Sequence, residues 1–173
     1  ALPAEPVGGF NFDRGVMAEL NDIYSTRLLD IAANMVRTAR LDNPDVTATA
    51  HSKLCGSTIT VDLTFDGDTI ADYGQTVKAC LLGQASASIV GREIVGVTID
   101  EIQEISRVMR AMLKEEGPPP EGRWTDLALL EPVRPYKSRH ASTLLVFEAI
   151  DKAIAARAAG RVEGPAGGAA VSA

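Results

Sequence analysis

The chain has 173 residues, 46% of them hydrophobic, enough for one core and one domain with loose ends; no run approaches the roughly 18 apolar residues of a spanning helix, and no basic stretch followed by an apolar one opens it, so a cytoplasmic protein without a membrane partner is expected. With 17 Lys and Arg against 23 Asp and Glu, the net charge of −6 opposes attraction to phosphate backbones and anionic lipid, and no nucleic acid is expected as a partner. Two cysteines are too few for a disulfide framework, so reduced thiols are expected; with the two histidines they are the chain's soft and borderline metal donors.

The opening ALPAEPVGGFNFDRG (residues 1–15) is rich in Pro and Gly and reads as a flexible arm. From Val16 the pattern becomes helical. Val16, Leu20, Ile23, Leu28, Ile31, Met35 and Ala39 recur near a 3.6-residue period, which predicts a long amphipathic helix ending before Asn43-Pro44. The period then falls to two. Ile59, Val61, Leu63 and Phe65 alternate with Thr58, Thr60, Asp62 and Thr64, the signature of a half-buried strand. Asp66-Gly67 predicts the turn of a hairpin whose second strand runs from Thr69 to Val77, and Val46 to Ala50 reads as a shorter neighbour. After Cys80 the run Gln84-Ala85-Ser86-Ala87-Ser88 predicts a helix of small side chains closed by Gly91. Thr98 and Glu101 have capping-box spacing ahead of Ile102, Ile105, Met109 and Leu113, and Gly117-Pro118-Pro119-Pro120 stops that helix. A last helix is predicted from about Ser138 to Ala159, with Leu145, Ala149, Ala153 and Ile154 on one face, followed by a flexible tail (160–173). One helix, antiparallel strands and then a run of helices predict an α+β fold over residues 16–159, in which helices cover one face of a small antiparallel sheet of about three strands.

Cys55 lies where a loop enters the first strand of the hairpin, and Cys80 where the second strand hands over to a helix. A hairpin returns its ends to one place, so the two thiols are expected close in space. The segment C-L-L-G-Q-A-S-A-S from Cys80 to Ser88 resembles the C-S-I-S-x-A-S-A-S stretch of SufU-type scaffolds, and Cys55-Gly56 resembles the start of their C-G-D motif. Val133 to Ala149, V-R-P-Y-K-S-R-H-A-S-T-L-L-V-F-E-A, is similar without gaps to the segment around that family's third cysteine. The resemblance to the SufU/IscU family spans roughly Tyr24 to Ile154, and the stretch from about Glu101 to Glu131 resembles an insertion of the SufU branch.

The resemblance implies an iron–sulfur cluster assembly protein, holding zinc or a transient cluster through three Cys and one Asp. It also implies a cysteine desulfurase as sulfur donor and recipient iron–sulfur proteins downstream. This chain departs from that ligand set: Ser57 stands at the family's Asp, and the ungapped register puts Ser142 at its third Cys. A competing register puts Ala141 there; Ser142 is preferred because it shares a helical face with Leu145 and Ala149, whereas Ala141 falls with Glu148. A neutral hydroxyl is a poor substitute for thiolate on zinc or iron, so weak metal binding is expected. His51 and His140 lie beside the ligand-bearing loops and are the residues able to rebuild a Cys₂His₂ set. The residues leave three readings open. Cys55 and Cys80 accept sulfur or hold a cluster; or the chain is a metal-free interaction protein that kept the family's docking surface; or, weakest, it is a Cys/His hydrolase, for which no motif supplies an oxyanion hole or orienting acid.

Overall fold

A computed structural model describes residues 24–160; the predicted arm, the first turns of the predicted long helix and nearly all of the predicted tail lie outside the described residues. The first described helix, α1 (Thr26–Ala33), begins at Ser25, whose hydroxyl accepts from the Leu28 amide at 3.2 Å. It buries Leu28, Ile31 and Ala32. The predicted continuation toward Asn43 is not formed. The Asn34 side chain instead folds back onto the Asp30 carbonyl at 2.8 Å, and the chain leaves α1 as a strap over residues 34–45. Helical spacing at Met35 and Ala39 yields there to the hydrogen-bonding needs of the sheet that the strap crosses.

Three antiparallel strands, β1 (Val46–His51), β2 (Thr58–Asp66) and β3 (Thr69–Lys78), pair in the order β1-β2-β3. His51 pairs with Thr58, and Thr58 with Lys78. Gly67 takes the positive φ (+60°) of the predicted turn. The alternation sends Ala48, Ala50, Ile59, Val61, Leu63 and Tyr73 to one buried face. The opposite face carries Asp62, which is nonetheless fully buried because the strap crosses it. Arg40 grips its carboxylate at 2.6 and 3.0 Å, the Leu41 amide donates at 3.0 Å and the Thr47 hydroxyl at 2.6 Å. Burial would push the Asp62 carboxyl up, but these hydrogen bonds and the Arg40 charge outweigh it and hold it below the ordinary range. Along the β3 edge the Gln75 amide donates to the Arg37 carbonyl at 2.9 Å, so the strap satisfies a backbone donor that would otherwise be open. The crossing needs Gly74: a Cβ there would lie 2.4 Å from the Ala39 carbonyl oxygen.

The helices take the other face. Helix α2 (Leu81–Glu93) and helix α4 (His140–Ala158) start at the end of the sheet where β3 finishes, α4 packing along β1 and β2 and α2 beside it. Gly91 does not close α2 as predicted; it lies buried inside the last turn, where a Cβ would meet the Gln75 amide nitrogen at 2.8 Å and the Val36 carbonyl at 3.2 Å. The Gln75 atom concerned is the side-chain Nε2, so the requirement at Gly91 is close approach, not a left-handed cap. Helix α3 (Ile99–Lys114) begins near the β2–β3 turn, through a bridge between Thr98 and Thr69, and runs antiparallel to α4. Thr98 caps it by accepting from the Glu101 amide at 3.1 Å, but the predicted reciprocal bond is absent: the Glu101 carboxylate accepts from the Trp124 indole at 2.9 Å. The 3₁₀ turns over Gly122–Val133 are docked further by Asp126, which receives Arg27 of α1 at 2.8 Å and Arg92 of α2 at 2.6 Å. The expected α+β architecture, helices on one face of a three-stranded sheet, is what the chain adopts.

Candidate functional site

Two tight hydrogen bonds shape the loop between β1 and β2. The Ser52 amide donates to the Ser57 carbonyl at 2.8 Å and the Gly56 amide to the Ser52 carbonyl at 2.9 Å, with Gly56 at φ +68°. The loop turns Cys55 outward while Ser52 and Ser57 stay buried. Cys55 Sγ lies 3.3 Å from Ser52 Oγ and 2.9 Å from Ser57 Oγ. Both hydroxyls are free to donate to a thiolate, and the Ser52 and Ser57 contacts bring the Cys55 thiol below its ordinary pKa against the small opposing effect of burial.

Cys80 is the N-cap of α2, in extended conformation, with no side-chain capping bond; its carbonyl accepts from the Gln84 amide at 2.9 Å. Because Thr58 pairs with Lys78, the Cys55 loop and the Lys78–Cys80 exit leave the sheet at the same end. The first turn of α4 meets the first turn of α2 there: a Cβ on Gly83 would lie 3.0 Å from the Ser142 carbonyl oxygen. Ser142 is buried and its hydroxyl donates to the Arg139 carbonyl at 3.1 Å, whereas Ala141 is exposed. The inward face expected for Ser142 is therefore the one observed.

The histidines do not join this group. His51 is exposed at the end of β1, with Nδ1 3.1 Å from the Thr58 hydroxyl on the outer face of the sheet. His140 is buried on the side of α4 away from Ser142, and its Nε2 donates to the Arg134 carbonyl at 2.9 Å. Among the described residues no three His, Cys, Asp or Glu side chains gather as a ligand group. His51 and His140, which the sequence offers as possible substitutes, have their rings aimed elsewhere by alternation along β1 and helical rotation along α4. Two thiols with neutral serine hydroxyls do not match the donor set of a resident zinc ion. Sequence reasoning also passed over Ser52, whose signal was its place three residues before Cys55 in a loop too short to extend.

No protein-family model matches the chain. A crystal structure of a nitrogen-fixing NifU-like protein (N-terminal) from Brucella abortus is 50% identical, covering 79% of this chain and 95% of that one, with a TM-score of 0.78. The iron–sulfur cluster assembly scaffold protein IscU of Thermotoga maritima is 25% identical over 132 residues, 76% of this chain and 92% of the relative. The zinc-dependent sulfurtransferase SufU of Bacillus subtilis is 23% identical over 138 residues, 80% of this chain and 93% of the relative. The chain belongs to the NifU-like, IscU/SufU family of iron–sulfur cluster assembly scaffold proteins.

Proposed function

We propose that this chain works in cytoplasmic iron–sulfur cluster assembly as a sulfur acceptor for a cysteine desulfurase, with Cys55 as the accepting thiol. The observation that supports this most is an exposed Sγ with two buried hydroxyls turned toward it, in a loop held by its own backbone hydrogen bonds. In the reaction the Cys55 thiolate attacks the outer sulfur of the donor's persulfide. The donor's S–S bond breaks, its thiolate leaves, and Cys55 becomes the persulfide with no net oxidation. Ser52 and Ser57 donate hydrogen bonds to the attacking sulfur before it is capped. Cys80, at the same end of the sheet, is the second candidate thiol, and an iron–sulfur cluster destined for recipient proteins is cargo rather than a resident cofactor.

Incubation with a cysteine desulfurase and cysteine, followed by mass spectrometry of alkylated peptides, tests the proposal. One added sulfur is expected on Cys55, lost in Cys55→Ser and largely kept in Cys80→Ser. Equal sulfur loading of the wild-type chain and Cys55→Ser would overturn it. The lack of a gathered ligand group among the described residues favours a second reading, a metal-free regulator; desulfurase turnover altered by a chain that gains no sulfur would establish that one.

A further inference from the structure

Between the end of α3 and the start of α4 the surface opens into a groove of about 600 Å³, within the size range of small-molecule sites. Leu113, Pro135 and Ala141 give it apolar lining, and its open charges are mixed: Lys114 and Lys137 of one sign, Glu116 of the other. All three are exposed, and none is ion-paired with another described residue. Arg134 fixes the walls. Its Nε donates to the Met112 carbonyl at 2.7 Å and its Nη2 to the Gly117 carbonyl at 2.9 Å, which satisfies an open carbonyl at the end of α3 and the turn that follows. The Gly117 amide closes back on the Ala111 carbonyl at 2.9 Å. Between these bonds Glu116 takes a φ of +55°, in the left-handed region that a residue with a Cβ rarely occupies. On the other wall His140, 6% exposed, donates through Nε2 to the Arg134 carbonyl. One arginine therefore sets Lys114 and Glu116 with its side chain and His140 with its backbone. No residue of the Cys55 loop or of α2 lines the groove among the described residues.

We propose that this groove binds a small free molecule carrying one ammonium and two carboxylates on an apolar stem, of the size of an acidic dipeptide. The charges match one for one: Glu116 receives the ammonium, and Lys114 and Lys137 receive the carboxylates. Arg134 is not available to the ligand, because its nitrogens are directed to Met112, Gly117 and Glu131. The stem covers Leu113 and Pro135, which a compact anion such as phosphate would leave wet while meeting repulsion from Glu116. Small-molecule sites combine an apolar lining with a few placed polar groups in this way. The turn that carries Glu116 is already fixed by backbone and Arg134 hydrogen bonds, so little ordering is lost on binding. The site is independent of the sulfur chemistry assigned to Cys55.

The test is an NMR titration of the full, isotope-labelled chain with the dipeptide Glu-Leu, its N-acetyl form and Lys-Leu. Saturable shifts confined to the amides of residues 111–117 and 134–141 are expected for Glu-Leu, with a Kd on the order of 0.1–1 mM for a ligand of this size. N-acetylation, which removes the ammonium, should weaken binding at least threefold, and Lys-Leu should bind more weakly still. The three charged side chains are exposed and unpaired, so Lys114→Gln/Lys137→Gln and Glu116→Gln should fold, which their amide spectra check. The double lysine variant should lose at least tenfold for both glutamyl ligands. Glu116→Gln should lose at least threefold for Glu-Leu and nothing for the N-acetyl form, a difference that a merely structural role for Glu116 would not produce. Absent or scattered shifts, tighter binding of Lys-Leu, or tighter binding of Glu-Leu by Glu116→Gln would overturn the proposal. So would stronger binding of a decapeptide ending in Glu-Leu than of the free dipeptide, which would assign the groove to a protein tail. Sulfur loading of Cys55 enters none of these readings, so their failure leaves the sulfur-acceptor function standing.

Discussion

Cys55 and Cys80 carry the same thiol in different surroundings. Cys55 stands on a loop tip between two serine hydroxyls, while Cys80 is half-buried against the core at the start of a helix. Iodoacetamide should therefore modify Cys55 first at neutral pH. With its pKa lowered by Ser52 and Ser57, more of Cys55 is thiolate at pH 7; removing the Ser57 hydroxyl should raise the pKa and slow alkylation there by about threefold to tenfold, the difference vanishing at high pH where the thiol is fully ionised either way. Peptide mass spectrometry over a pH series reads this out, and identical profiles for Ser57→Ala and wild type would show that the serine does not act on the thiol. Asp62 gives a second residue-scale outcome. Its folded-state carboxyl titrates below the unfolded value of about 3.9, so the stabilisation is complete above that pH and is lost as the pH falls through the lower folded value. Asp62→Asn should cost about 2–3 kcal/mol at pH 7 and flatten the acid limb of stability measured by urea unfolding. That cost is smaller than for a fully buried pair because Arg40 is half in solvent.

At the scale of elements, the strap and the 3₁₀ segment are the parts whose structure depends on partners far along the chain. Gly74→Ala would set a methyl 2.4 Å from the Ala39 carbonyl, so the strap must lift at a cost of about 1–3 kcal/mol. Hydrogen exchange should then show the Gln75 amide, which donates to Arg37 in the wild type, losing protection ahead of β1 and β2. Retained protection there would mean that the strap adjusts without leaving the β3 edge. These segments also explain where periodicity misled. Met35 and Ala39 keep helical spacing, yet the donors on the β3 edge and the buried carboxylate of Asp62 require a backbone and an arginine to cross at that point, and those demands outweigh a short stretch of helix propensity.

For the whole molecule, the arrangement of three elements around one end of the sheet makes a test of the family's ligand geometry available. Ser142→Cys exchanges oxygen for sulfur at nearly constant shape, and Ser57→Asp places a carboxylate beside Cys55. Each single change adds one donor to Cys55 and Cys80; together they complete four, a closed tetrahedral set. Zinc affinity, measured by competition with a chromophoric chelator, should rise in the double variant by more than the two single effects combined, because ligands of one site couple. A folded double variant that binds zinc no better than the starting chain would show that the four positions do not converge.

Much of this architecture is written locally. The alternation from Thr58 to Phe65, the Asp66-Gly67 turn, the Thr98 cap and the apolar run of α4 are each decided by neighbours a few residues apart, so a linear reading recovers the hairpin, two helices and the α+β class. The shared helical face of Ser142, Leu145 and Ala149 was legible in the same way, and Ser142 is buried while Ala141 is exposed. What only the tertiary structure decided is long-range: the strap that ends α1 early, the diversion of Glu101 to Trp124, the close approach at Gly91, and the turning of His51 and His140 away from the cysteines. Each depends on a carboxylate, carbonyl or strand edge that reaches its partner only once the sheet and helices have packed, and such partners leave no period in the sequence.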